Sequence, residues 1–291
     1  MGKLLDSYNK QTISLFGFKF ERKTFFTTIA IALGVLSILL ILSICNVGIS
    51  WYGVLFGLGF LVALALAPQM FKVNGIKEDY AYTIVWWIFP LAILGARAYF
   101  MIFASGSYTF VDFFKIWEGG LAVFGGIIGG ALGLVLSCLV SKVSIIKTTD
   151  SVAPLLSLGQ AFGRIGCIFG HCCYGVEVSN KALHWFPIAL KIGEDYHYAT
   201  NFYESVLDVV LFFVLLYIFR KVRITGITTF AYMVGYGIVR FILENFRDKG
   251  QTLFIGAMPI SQLVSIICVV VGVAGIITLL LVNNRKTKNI K

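Results

Sequence analysis

Charge is scarce in this chain of 291 residues. Asp, Glu, Lys and Arg make up 13% of it against 58% hydrophobic residues, and the acidic residues number only 14. That scarcity excludes a water-soluble globule, in which about a quarter of the residues carry charge. Histidine occurs three times and no H-E-x-x-H pair is present, so the metalloprotease arrangement is excluded. Equally absent are a nucleotide-binding glycine fingerprint, a soluble insertion of domain size, and an internal repeat of the sort that builds inverted-repeat transporters.

What fills the chain is long apolar runs. A hydrocarbon core about 30 Å thick needs about 20 residues at about 1.5 Å each. Eight runs qualify as spans: 25–44, 51–71, 82–103, 120–140, 152–173, 206–219, 226–243 and 257–282. The fifth is rich in polar residues and the sixth is short. The first follows a polar segment and is long enough to span, so it reads as a retained helix rather than a cleaved signal. The expected fold is all-α, a polytopic integral membrane protein of about eight transmembrane helices.

Lys and Arg set the orientation, because short cytoplasmic loops retain them. With the N-terminus inside, sixteen of the 24 basic residues fall on cytoplasmic segments and five outside. Both termini are therefore expected in the cytoplasm. The net charge of +10 then belongs to loops facing an anionic leaflet, and no nucleic-acid partner is implied.

Three arginines remain, Arg97, Arg164 and Arg240, each past the midpoint of a span that runs outward. An arginine in hydrocarbon costs a few kcal/mol, so it faces a protein interior or a wet cavity and pairs with something anionic. A single one can snorkel or clamp helix carbonyls; three at one depth suit a phosphate oxyanion, and the phosphate at that depth is a phospholipid headgroup. Glu244 follows Arg240 by one turn, Glu204 precedes the sixth span, and Trp51 and Tyr52 open the second. Glycines enter the fourth span in pairs, Gly125 and Gly126 among them, either to pack helices or to let a lipid approach the backbone.

Six segments in order, "WYGVLFGLGF" (51–60), "LGARAYFMIF" (94–103), "WEGGLAVFGGIIGG" (117–130), "GRIGCIFGHCCYG" (163–175), "NFYES" (201–205) and "YGIVRFILENFRD" (236–248), resemble the prolipoprotein diacylglyceryl transferase family. The resemblance runs from about Trp51 onward. It implies a seven-helix membrane domain over 47–291, preceded by a cytoplasmic N-terminus and one extra helix in 1–46, with 174–205 as an extracytoplasmic loop or cap. It also implies transfer of a diacylglyceryl group from phosphatidylglycerol to the lipobox cysteine thiol of a prolipoprotein, releasing glycerol phosphate. Such an enzyme sits in the cell membrane with its active site toward the extracytoplasmic side and needs no cofactor. Departures from the family signature stand at Cys167, where it has asparagine, at Cys172, where it has an acidic residue, and at Phe124, where many members have histidine.

The chemistry assigns roles. A thiolate displaces a phosphate ester at carbon, so charge moves onto departing oxygens that pre-placed guanidiniums stabilise. Arg164 and Arg240 take that role, with Arg97, Gly125, Gly126 and Gly175 completing the lipid-binding set. Tyr52 orients the headgroup. His171, Glu204 and Glu244 are the candidate bases. The C-x4-C-C spacing of Cys167, Cys172 and Cys173 lacks the paired ligands of a zinc site, so no metal is expected; the thiols wall the cavity, with a disulfide or a covalent nucleophile as alternatives. Cys45, Cys138 and Cys268 read as small core residues. Two other functions stay open: a relative using a phospholipid donor with a different acceptor, and a lipid-binding or transport protein without chemistry.

Overall fold

The computed structural model describes residues 12–15, 18–21, 51–104, 108–115, 119–248, 250, 254–256 and 258–288. The span expected at 25–44, Cys45, Trp117, Glu118 and both chain ends lie outside the described residues. Among those described, seven helices are long and apolar enough to cross a membrane. They are α1 (Trp51–Val73), α2 (Tyr80–Phe103), α3 (Val123–Ser141), α4 (Ile145–Phe169), α5 (Thr200–Lys221), α6 (Ile227–Glu244) and α7 (Ile260–Lys288).

Two spans depart from the sequence expectation. Helix α4 starts at Ile145 and stops at Phe169, so His171, Cys172 and Cys173 lie in a turn beyond it. His171 and Cys173 adopt positive φ there, 47° and 61°, which no helix can continue. Helix α5 begins at Thr200, ahead of the apolar run at 206–219. Its polar residues Asn201, Glu204, Ser205 and Asp208 are buried against protein, not lipid, so hydropathy does not register that turn as part of a span. The all-α expectation is also corrected to mostly helical, since the described residues include three antiparallel two-stranded hairpins: β1 (Thr12–Leu15) with β2 (Phe18–Glu21), β3 (Ala189–Ile192) with β4 (Asp195–Tyr198), and β5 (Phe254–Ile255) with β6 (Met258–Pro259).

Short connections reverse the chain between α1 and α2, α3 and α4, and α5 and α6, through left-handed residues at Gly75, Lys142 and Gly226 respectively. This end carries Lys72, Lys77, Lys142, Lys147, Arg220, Lys221 and Arg223. It is also the better packed, with Met70, Phe71, Tyr80, Cys138, Leu216 and Phe219 in one buried cluster. Asp150 of α4 accepts hydrogen bonds from Gly226 N, Thr229 N (2.8 Å) and Thr229 Oγ1 (2.7 Å), and so satisfies amides that open α6.

Helix α1 packs on α4, α4 on α5, α6 on α7 and α2 on α3. The last pair explains the glycine run. A Cβ on Gly125, Gly129 or Gly133 would fall on the backbone carbonyls of Gly95, Leu91 and Trp87 of α2. Outward faces are mostly apolar: Trp86 is 80% and Val123 76% exposed to what, in a bilayer, is lipid.

Candidate active site

The polar end of the bundle is formed by the end of α4, the start of α5 and the end of α6. Glu204 of α5, 2% exposed, receives Arg164 of α4 at 2.8 Å (Nη2 to Oε1) and Arg240 of α6 at 3.1 Å (Nη1 to Oε2). Arg240 Nη2 also meets Glu244 Oε2 at 2.8 Å one turn on, and Arg247 Nη1 approaches the same oxygen at 3.6 Å. The result is an alternating ladder, Arg164, Glu204, Arg240, Glu244, Arg247, with one positive charge in surplus. Beyond its contact with Glu204, Arg164 makes no hydrogen bond among the described residues, and its side chain is 19% exposed against 3% for Glu204. Its unused N–H groups are therefore placed to receive an anion from the rim.

Serine hydroxyls seal the α4–α5 seam beneath: Ser205 Oγ donates to Ala161 O (2.9 Å) and Ser157 Oγ to Asp208 O (2.8 Å). Asp208 lies one turn below Glu204, with 0% exposure and neither carboxyl oxygen hydrogen-bonded among the described residues.

Tyr52 of α1 lies against Gly166 of α4, where a Cβ would meet its ring at 3.1 Å. Cys167, Cys172 and Cys173 form no disulfide among the described residues, and their sulfurs gather within 4.8 Å of one another. Their convergence was not legible from the spacing. Arg247 Nη2 donates to Cys173 Sγ at 3.1 Å. The hydrogen bond with Cys167, then the Arg247 and Arg164 guanidiniums, hold the Cys173 thiol below its ordinary value, while burial pushes Cys172 up. His171 is exposed at the rim and its ring makes no hydrogen bond or ion pair among the described residues.

Residues 174–199 connect the end of α4 to the start of α5. Their β3–β4 hairpin is extended by bridges from Glu177 to His197 and from Gly175 to Arg247. Gly175 is needed there because a Cβ would meet Phe246 O at 2.7 Å. His197 Nδ1 pairs with Gly175 O (3.0 Å), and His184 Nε2 pairs with Val178 O (2.7 Å) while stacking on Tyr196. Residues 200–205 belong to α5 instead of the expected loop or cap.

Three residues expected to bind lipid are placed elsewhere. Arg97, 3% exposed, spends four of its N–H contacts on carbonyls: two on Asp112 O (3.2 and 2.6 Å), one on Gly119 O (2.5 Å) and one on Gly120 O (3.3 Å). It ties the α2–α3 connection to α2, and no ion pair links it to Glu204. Gly125 and Gly126 face α2: Gly125 permits close approach to its backbone, whereas a Cβ at Gly126 would make only ordinary contact with Ala96 Cβ at 3.7 Å.

The family model for prolipoprotein diacylglyceryl transferase matches residues 39–278. The chain belongs to that family. A phosphatidylglycerol–prolipoprotein diacylglyceryl transferase of Clostridium perfringens, the one numbered 1, is 33% identical over 255 residues, 85% of this chain and 97% of that protein. The corresponding proteins of Finegoldia magna (36% over 234 residues; 79% and 91%) and Clostridium kluyveri (36% over 238; 80% and 92%) are similar to it over much the same length. Two residues of this polar cluster carry no role in the sequence analysis. Arg247 counts as a loop cation by position, yet turns back onto Glu244 and Cys173; its spacing of three from Glu244 was the available signal. Asp208 lies inside an apolar run, and only its charge marks it.

Proposed function

We propose that the protein transfers the diacylglyceryl group of phosphatidylglycerol to the lipobox cysteine thiol of a prolipoprotein, releasing glycerol phosphate. The observation that carries this reading is the sharing of Glu204 by Arg164 and Arg240, two guanidiniums from different helices at one depth. In the reaction the thiolate attacks the glycerol carbon that bears the phosphate ester; the C–O bond breaks and its electrons pass to the phosphate. Arg164 and Arg240 meet that developing charge in a site of low dielectric, where losing one such donor costs about 3–4 kcal/mol of barrier. Glu204 and Glu244 are positioning residues: both are buried and committed to guanidiniums. That leaves His171, exposed at the rim, to take the thiol proton, and the surplus positive charge helps the thiol release it. Tyr52 orients the headgroup from α1.

The orientation proposed is a transferase domain over 47–291 whose site opens to the extracytoplasmic side of the cell membrane; the extra helix and the chain ends expected in the cytoplasm lie outside the described residues. Supporting it, Lys72, Lys77, Lys142, Lys147, Arg220, Lys221 and Arg223 gather at the end of the bundle opposite Glu204. The test is purified protein given phosphatidylglycerol and a lipobox peptide. Glycerol phosphate and diacylglyceryl peptide should appear together, and Arg164→Ala should abolish both. Lipid turnover without restoration of lipoprotein processing in transferase-depleted cells would assign a different acceptor. Tight lipid binding with no product would overturn the catalytic reading.

A further inference from the structure

The three thiols at the end of α4 are not used by the reaction proposed above, yet the fold brings them together. Cys167, 6% exposed, occupies the last turn of α4. Beyond Phe169 the chain reverses through His171 and Cys173 in left-handed conformations that residues with a Cβ seldom adopt. Cys172 N donates to Cys167 O (3.1 Å) across that reversal. From α5, Thr200 Oγ1 donates to Cys173 O (2.9 Å) and Asn201 Nδ2 to Cys172 O (3.2 Å), so both cysteine backbones are pinned.

We propose that Cys167, Cys172 and Cys173 form a binding site for one thiophilic d10 cation, Zn2+ or Cu+. Three sulfurs about 2.3 Å from a common ion stand about 3.8–4.0 Å apart in tetrahedral or trigonal geometry. These sulfurs already lie within 4.8 Å of one another, so closing on an ion takes side-chain rotation and small shifts of the turn. Thiolate ligands favour soft cations and discriminate against Mg2+ and Ca2+. Ligation exchanges the thiol protons for the ion and releases them to solvent, with no change of oxidation state. The centre formed is anionic, 1− with Zn2+ and 2− with Cu+, and Arg247 at Cys173 Sγ supplies countercharge that a buried anion requires. A sequence count favours no site here, because C-x4-C-C offers adjacent ligands; the reversal at 170–173 is what turns Cys172 and Cys173 back toward Cys167.

The test reads metal binding alone, so its result is separate from the transferase reading. The full chain in detergent micelles, reduced and freed of metal, is titrated with Zn2+ in one arm and with Cu+ under anaerobic conditions in the other. One ion per chain in either arm, a sulfur-dominated shell by X-ray absorption at the metal edge, and a rise in thermal midpoint are expected. Cys167→Ser should weaken binding at least tenfold, and so should Cys172→Ser, whose partly exposed turn position keeps that variant folded. The proposal is overturned by absence of saturable binding in both arms, by a shell dominated by nitrogen, or by affinity retained in Cys172→Ser.

Discussion

Glu204 of α5 holds Arg164 of α4 and Arg240 of α6 on its two oxygens, at 2.8 and 3.1 Å, and so joins three helices at one point. Breaking a buried ion pair by removing one partner costs about 3–5 kcal/mol, because the charge left behind has nothing to face. Glu204→Gln keeps the shape and removes the charge, leaving the two guanidiniums to repel. Both thermal stability and transferase activity should fall, with the larger share of the kinetic loss in kcat, since the arginines would no longer be held for the departing phosphate. Unchanged activity with lowered stability would make Glu204 a purely structural clamp.

Arg164→Lys separates charge from geometry. Lysine keeps the ion pair with Glu204 but lacks the planar fork that would serve Glu204 and a phosphate at once. A fall in kcat of about 10²–10³ is expected, the cost of removing a pre-placed donor. Steady-state rates on phosphatidylglycerol and a lipobox peptide measure it; a lysine variant within a few fold of the parent would refute the fork.

How far the site was legible depends on which physics each residue obeys. Arg164 and Arg240 stood out because ionised groups in apolar runs need partners, and Glu204 and Glu244, which border apolar runs, supply them. Arg97 obeyed the same rule with backbone carbonyls as partners, a choice that depends on the 108–120 connection folding back and that no spacing encodes. The start of α5 was invisible to hydropathy because its polar face is turned inward. The gathering of the three thiols depends on positive φ at His171 and Cys173, where the usual glycine signal is missing.

Gly129 and its neighbour Gly130 should respond differently to the same change. A Cβ at Gly129 meets the Leu91 carbonyl of α2, whereas at Gly130 it meets Ala92 Cβ and Ile88 Cγ2 at 3.8 Å, an ordinary contact. Gly129→Ala must push α3 from α2 and should cost about 1–3 kcal/mol, the usual penalty of overpacking. Gly130→Ala should be neutral or slightly stabilising. Thermal midpoints of the two variants in the same detergent decide the matter.

Acid should loosen the α2–α3 connection. Asp112 accepts hydrogen bonds from Lys115 Nζ (2.7 Å), Thr109 Oγ1 (2.7 Å) and Thr109 N (2.8 Å), which hold its carboxyl well below the usual carboxylate range. Because the folded value is depressed, the stabilisation is complete above the unfolded value of about 3.9 and is lost as pH falls through the folded one. Asp112→Asn lacks it at every pH. The ratio of cleavage rates by an acid protease at 108–115, variant over parent, should be high at pH 5 and decline toward one as the pH drops. A ratio flat with pH would remove Asp112 from the account of this loop.

Asp150 makes the opposite prediction, a stability effect remote from the chemistry. Its carboxylate accepts from Gly226 N, Thr229 N and Thr229 Oγ1, closing the start of α6 from a neighbouring helix at the basic end of the bundle. Hydrogen bonds to a charged group contribute about 1.5–3 kcal/mol, and truncation removes the acceptor of two backbone amides, Gly226 N and Thr229 N. Asp150→Ala should therefore lower the thermal midpoint substantially and Asp150→Asn, which keeps one acceptor, less so. Neither substitution touches the Arg164–Glu204–Arg240 contacts at the far end. Specific activity assayed well below each variant's midpoint should stay close to that of the parent, and a selective loss of activity there would mean that the start of α6 sets the position of Arg240.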